Sequence, residues 1–317
     1  MNTSNRILVA MDVSNFEYMT INAAVNKWKQ FYPDDSSFLL PPKETDQSDL
    51  PNLLNVDSFR KTLHITTQQK LESLNWIIKN HHQEEIDIAE GIDIVCTEDS
   101  SLDNNFRKKK YPEYKAQRKL QPKSFDIFPI KEYMQNILFD ELEVEEKLGY
   151  KIIKVDDCES DDIIAVLMKN YTDYLCRILI SSDRDFLQLD NIHQYDWWGN
   201  KIDRKVKNHD DFEMDSKEYL LWKILKGDVS DNIKNVFPKC GDVKSYKLVK
   251  NKPLLREMLS ESQEANDRYH LNKLLIDFRS IPKEMEEKIL KCLKEKMSTI
   301  SVIEDVENFT LESCMEF

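Results

Sequence analysis

The sequence predicts an α/β fold, a mostly parallel central sheet flanked by helices, followed by a smaller C-terminal helical region. Three observations predict it. Short apolar runs of strand length recur through the first two-thirds of the chain, and each ends in acidic residues. Segments of helical period lie between those runs. Beyond about residue 211 the strand signal fades and helical patterns take over. Alternating strand and helix signals indicate a parallel sheet, which binds ligands outside the carboxyl ends of its strands.

The elements follow in order. Ile7-Leu8-Val9-Ala10-Met11 runs into Asp12. The polar stretch 33–57, with Pro41-Pro42 and Pro51 and no sustained periodicity, reads as a loop insertion. Residues 69–79 carry a helical period. Ile92, Ile94, Val95 and Cys96 lead to Glu98-Asp99. Ile152-Ile153-Lys154-Val155 leads to Asp156-Asp157, then to Glu159-Ser160-Asp161-Asp162 at the start of a helical segment, 161–170. Ile178-Leu179-Ile180 leads to Ser181-Ser182-Asp183-Arg184-Asp185. Helical patterns over 216–226, 253–260 and 282–296 complete the chain. It therefore divides into an α/β domain, 1–210, and a helical domain, 211–317.

The chain has 317 residues, of which 40% are hydrophobic, so a packed core is expected and wholesale disorder is excluded. No apolar run approaches the roughly 18 residues of a membrane span. Residues 1–14 lack the basic and long apolar parts of a signal peptide, so a cytoplasmic protein is expected. Six scattered cysteines without a Cys-x-x-Cys pair exclude a zinc ribbon and speak against a disulfide framework. Five glycines, none in a G-x-G-x-x-G or Walker arrangement, exclude a glycine-rich nucleotide cradle. The six histidines lack metal-ligand spacing; His81-His82 is expected on an exposed helix face, and Trp197-Trp198 in the core.

Charge is unevenly spread. The net charge is −13, but segment 107–123 holds eight cations (Arg107, Lys108, Lys109, Lys110, Lys115, Arg118, Lys119, Lys123) against Glu113. That is a local +7, leaving −20 for the rest. A solvated surface run is the ordinary fate of such a segment. Here Phe106, Tyr111 and Tyr114 interleave with the cations, a combination suited to unpaired bases and phosphates.

Acids stand at five separated places: Asp12; Asp99; Glu159, Asp161 and Asp162; Asp183 and Asp185; Asp228 and Asp231. Any one of them alone reads as a helix cap or a solvated loop acid. In a parallel sheet, however, the strand ends converge. Two like charges at ~4 Å repel by ~4 kcal/mol at an effective dielectric near 20, so the cluster calls for cations. Carboxylates without nearby His or Cys suit Mg²⁺ or Mn²⁺ rather than Zn²⁺, and two such ions form a clamp for displacement at phosphorus.

With these residues in place, the chain resembles the 5′-nucleases of the flap endonuclease superfamily, nearest to their phage ribonuclease H branch. The resemblance rests on Met11-Asp12-Val13-Ser14; on Asp99 followed by Phe106-Arg107 and Tyr111-Pro112-Glu113-Tyr114-Lys115-Ala116-Gln117-Arg118; and on Glu159-Ser160-Asp161-Asp162. It also rests on Ser181-Ser182-Asp183-Arg184-Asp185-Phe186-Leu187, on Lys223-Ile224-Leu225-Lys226-Gly227-Asp228-Val229-Ser230-Asp231-Asn232, and on Leu274 to Phe278 with Ile281-Pro282.

The resemblance implies a PIN-like nuclease domain and a helix–turn–helix type DNA clamp. It implies a two-metal, Mg²⁺-dependent (or Mn²⁺-dependent) enzyme that removes RNA primers and flaps from 5′ ends during phage-type replication. Asp12, Asp99, Asp161 and Asp183 match a first metal site. Asp185 and Asp231 match a second, with Asp228 nearby and Glu159 as an outer ligand. Arg107 and Lys115 match a catalytic basic pair on an arch, 105–125. Lys108, Lys109, Lys110, Tyr111, Tyr114, Arg118 and Lys119 would contact nucleic acid there, and Lys234, Lys239, Lys244 and Lys247 would meet duplex phosphates. The hairpin after Asp231 keeps one glycine, Gly241, where the family is glycine-rich.

The implied partners are DNA and RNA–DNA duplexes with a 5′ end or flap, acted on by a monomer. A single-strand binding protein or sliding clamp could dock on the tail, 309–317. Two other readings stand beside this one: an aspartyl-nucleophile phosphatase using Asp183-Arg184-Asp185, and a silent scaffold that binds branched DNA.

Overall fold

The computed structural model describes residues 4–39, 50–100, 105–120, 123–142, 151–206, 209 and 211–297. Five strands form one all-parallel sheet: β1 (Arg6–Asp12), β2 (Gly91–Glu98), β3 (Lys151–Lys154), β4 (Cys176–Ile180) and β5 (His193–Tyr195), in the order β3-β2-β1-β4-β5. β1 is central, pairing Ile7 with Ile92 on one side and with Cys176 on the other. All seven of its residues are buried, as expected of a strand covered on both faces.

Alternation along β1 assigns the two faces. Ile7, Val9 and Met11 pack with helices α1 (Val13–Phe31) and α2 (Asp57–Ile86). Leu8 and Ala10 face the other way, toward Ile163, Ile164 and Leu167 of a further helix, Ser160–Asn170. Between β2 and β3 lie α3 (Phe106–Lys110) and α4 (Phe128–Tyr133), the latter continuing through a π-helical turn to Glu141. Helix Ser160–Asn170 is α5. Among the described residues no helix is long and apolar enough to cross a membrane.

Four features differ from the sequence expectation. The predicted helix 69–79 is the middle of the 30-residue α2. The polar stretch before it is anchored at its edges, since Leu39 and Leu53 enter the core, while its middle, 40–49, lies outside the described residues. His82 is buried rather than exposed, because α2 kinks there at φ −135° and turns the imidazole inward; His81 stays at the surface. Trp197 is core, whereas Trp198 is exposed, with the Lys70 ammonium over its ring.

Beyond β5 the chain is helical: α6 (Ser216–Lys226), α7 (Asp242–Lys250), α8 (Lys252–Glu261), α9 (Gln263–Ile276) and α10 (Lys283–Met297). Phe212, Trp222, Leu225, Phe237, Leu248 and Leu255 form a core of their own here. α10 instead returns to the sheet domain, where Ile289 and Leu293 pack with α5. The exit from α6 depends on Gly227, which sits at φ +74°; a Cβ there would lie 2.4 Å from the Ile233 carbonyl oxygen.

Candidate active site

The carboxyl ends of the strands carry the predicted acids. Asp12 closes β1 and caps α1, its Oδ1 accepting from the Asn15 N–H at 3.2 Å. Asp99 follows β2 and accepts from the Ser160 N–H at 2.8 Å, which ties the end of β2 to the start of α5. The Thr97 and Ser160 hydroxyls, 2.6 Å apart, strengthen the same junction. Asp161 lies in the first turn of α5, and Asp183 follows β4, with Oδ1 accepting from the Asp185 N–H at 2.8 Å.

These four acids share one electrostatic environment. Burial, then the neighbouring Asp99 and Asp183, pushes the Asp12 carboxyl up to about 7. Burial likewise raises Asp161 well above the carboxylate range, with Asp183, Asp12 and Asp99 adding and Lys115 opposing. Among the described residues none of the four makes an ion pair. The field is that of a concentrated negative charge.

The second group differs, because cations of the chain already occupy it. Lys223 bridges Asp185 and Asp228, lying 3.1 Å from Asp228 Oδ2. Burial works against ionisation of Asp228, but Lys223 and Ser230 outweigh it and hold the carboxyl below its usual range. Asp231 receives Arg118 at 2.7 Å and the Tyr114 hydroxyl at 3.2 Å. The sequence reading missed Lys223. Its signal was a cation inside the apolar run Trp222 to Leu225, a place where lysine is buried only when paired.

The basic segment divides into an inward and an outward set. Arg107 is only 3% exposed. Its guanidinium donates to Asp162 at 2.7 and 2.8 Å, to Glu159 at 2.9 Å and to the Leu275 carbonyl at 2.9 Å. This corrects the expectation that Arg107 lies on an open arch against the scissile phosphate: its donors are spent on buried acids. Tyr114 is corrected likewise. It is buried, and its hydroxyl joins Glu159, at 3.1 Å, to Asp231, so it offers no face for base stacking. Tyr111 is half-buried and donates to the Asn232 carbonyl at 3.1 Å.

Lys115 stands between the two sets. It adopts φ +56° and pairs with Glu159 while remaining partly accessible. Glu159 is held below its usual range although burial opposes this, because Lys115 and Arg107 both face it. Lys109, Lys110 and Arg118 are exposed and Lys108 is half-buried. The side chain of Lys119, residues 121–122 of the arch and the tail 309–317 lie outside what is described. In the helical region Lys234, Lys239 and Lys247 are exposed, and Lys244 lies over the Phe237 ring.

The chemistry of the four acids suits hard divalent cations: they offer oxygen donors alone, and their mutual repulsion raises Asp12 and Asp161. The two acid groups are joined through Tyr114 and Lys115, which touch Glu159 on one side and sit beside Asp231 on the other.

Known proteins resemble this chain in sequence and in fold. Residues 58–218 match the family model described as 5′-3′ exonuclease, N-terminal resolvase-like domain. Ribonuclease H of Enterobacteria phage T4 is 31% identical over 157 residues, covering 44% of this chain and 50% of that protein. The 5′-3′ exonuclease of Buchnera aphidicola subsp. Schizaphis graminum is 34% identical over 152 residues, 47% of this chain and 49% of its own. The match thus spans about half the length of these relatives, and 18% of a DNA polymerase I from Caldicellulosiruptor bescii. T5 5′-exonuclease with bound zinc shares the fold at a TM-score of 0.57 and 16% identity, over 92% of this chain and 100% of that one. A T5 flap endonuclease pseudo-enzyme–product complex with DNA and metal ions matches with the same TM-score, 0.57, and the same identity, 16%, over 92% of this chain and 100% of that one. With a family match over half its length, the chain belongs to the 5′-3′ exonucleases, 5′-nucleases of the flap endonuclease superfamily.

Proposed function

We propose that the protein is a Mg²⁺-dependent (or Mn²⁺-dependent) structure-specific 5′-nuclease. It hydrolyses phosphodiester bonds at the 5′ ends and flaps of DNA and RNA–DNA duplexes, removing primers and flaps during phage-type DNA replication. The observation that carries this reading is the group Asp12, Asp99, Asp161 and Asp183 at the carboxyl edge of the sheet, which concentrates negative charge and, among the described residues, forms no ion pair. The T5 relative in complex with DNA and metal ions supports a DNA substrate.

Asp12, Asp99, Asp161 and Asp183 would hold one ion, and Asp185, Asp228 and Asp231 a second. Ions held there would supply Lewis acidity toward a phosphoryl oxygen and would lower the pKa of the attacking water. The protein's own part is positioning. Arg107 fixes Glu159 and Asp162 and so sets the N-terminal turn of α5, from which Asp161 projects. Lys115 places its ammonium group beside Glu159, at the boundary between the two acid groups, where it can meet the phosphate being cleaved. Lys108, Lys109 and Lys110 attract the 5′ strand. The segment from α6 to α7, with Lys234, Lys239, Lys244 and Lys247, grips duplex phosphates as the clamp does in the family. The test is cleavage of a 5′-labelled flap and of a 5′-RNA primer duplex, with and without Mg²⁺. Metal-dependent release of short 5′ products supports the reading; tight binding of both without cleavage would leave a scaffold in its place.

A further inference from the structure

A second cluster of metal-ligating groups lies away from the carboxylate pocket, under the kinked end of α2. His82, Glu85 and Cys176 each offer one ligand atom, and these atoms all lie within 4.8 Å of one another. Cys176 is the first residue of β4, and the α2 kink at His82 aims the imidazole toward it. His82 Nδ1 lies 3.6 Å from Cys176 Sγ and 3.6 Å from Glu85 Oε1. Tetrahedral zinc, with Zn–N of about 2.05 Å and Zn–S of about 2.3 Å, separates its nitrogen and sulfur ligands by about 3.6 Å and nitrogen from oxygen by about 3.4 Å. The Cys176 contact already has that length, and the Glu85 contact exceeds its own by about 0.2 Å.

The surroundings prepare the imidazole. His82 Nε2 is 3.0 Å from the Tyr195 hydroxyl. An Nε2–H donated to that oxygen leaves the lone pair on Nδ1, the tautomer a metal needs, and an outer partner of this kind typically accompanies a ligating histidine. The His193 ring packs edge-on at 4.8 Å and walls the site, while the partly exposed Glu85 carboxylate leaves a path from solvent.

We propose that His82, Glu85 and Cys176 form a zinc site, with water as fourth ligand, that pins the end of α2 to β4. The mixed nitrogen, sulfur and oxygen set selects zinc over the hard cations suited to the carboxylate pocket. Binding replaces the thiol proton of Cys176: the S–H bond breaks, the S–Zn bond forms and one proton passes to solvent.

The experiment titrates the full-length, EDTA-stripped protein with Co²⁺ as a spectroscopic stand-in for zinc. Thiolate ligation gives a sulfur-to-cobalt charge-transfer band in the near ultraviolet, which the sulfur-free carboxylate pocket cannot produce. The band should saturate at one cobalt per chain, bleach on adding Zn²⁺, persist in Asp161→Asn and vanish in Cys176→Ser. Glu85→Gln should weaken zinc binding at least ten-fold, and Tyr195→Phe by about 10–100-fold. The proposal is overturned by a wild-type protein that shows no such band in excess Co²⁺, or by a band that survives in Cys176→Ser. If Cys176→Ser does not fold, Glu85→Gln decides, because unchanged zinc affinity in that partly exposed variant also overturns it.

Discussion

Arg107 and Asp162 form a bidentate pair with contacts of 2.7 and 2.8 Å, sealed between the start of α5 and the Leu275 carbonyl. Removing one member of such a buried pair leaves the other charge unpaired, at a typical cost of ~3–5 kcal/mol. Arg107→Ala should therefore lower the urea midpoint substantially, and adding Asp162→Leu should recover part of the loss. An Arg107→Ala protein of wild-type stability that failed only in cleavage would return this residue to direct catalysis.

The four uncompensated acids lead to the opposite expectation for stability. Asp161→Asn or Asp183→Asn removes a member of a mutually repelling set, so the metal-free variant should unfold at an equal or higher temperature than wild type. Both should lose flap cleavage almost completely. Turnover near the wild-type level in either would remove the metal-site assignment.

The pH dependence has a definite sign. Asp12 is raised by burial and by Asp99 from 3.8 to about 7, so between those values the native state binds a proton that the unfolded state has released. Metal-free stability should then fall as pH rises from about 4 to about 7 and level off above. Asp12→Asn should flatten that slope, and so should Mg²⁺, which favours the ionised form. Thermal melts across the window, with and without Mg²⁺, measure it; a metal-free slope untouched by Asp12→Asn would place the repulsion elsewhere.

Lys223 competes with any cation that approaches Asp185 and Asp228. A unit charge at ~4 Å acts with ~4 kcal/mol at an effective dielectric near 20. Relief of a third of that corresponds to roughly ten-fold in affinity. Lys223→Gln should thus tighten Mg²⁺ binding by about ten-fold in calorimetric titration while lowering metal-free stability. Weaker Mg²⁺ binding in the folded variant would show that Lys223 supports the site rather than occupying it.

Much of this arrangement is legible in the sequence, for physical reasons. A buried parallel strand must be apolar along its length, so β1, β2 and β4 stand out, and the acid that follows each run marks the sheet edge where ligands bind. β5 escapes because it is three residues long, His193-Gln194-Tyr195, with no apolar run to betray it. The inward turn of Arg107 escapes because a run of cations does not say which member will find buried acids. His82 escapes because its burial depends on a kink in α2 and on Cys176 and Tyr195, some hundred residues away.

The outward cations separate chemistry from grip. Lys115 keeps part of its side chain accessible beside Glu159, whereas Lys239 is exposed on the segment leading into α7. A group acting on transition-state charge typically accounts for ~3–4 kcal/mol, or ~10²–10³ in turnover. A single phosphate contact instead weakens binding and lowers the slope of log affinity against log salt by ~1. Lys115→Ala should therefore depress single-turnover cleavage at saturating enzyme with little loss of affinity. Lys239→Ala should bind less tightly, regain wild-type cleavage at low salt and show the shallower slope. Full recovery of the Lys115→Ala rate at saturating enzyme would reduce Lys115 to an attractor of the strand, leaving the carboxylate-bound ions to stabilise the charge alone.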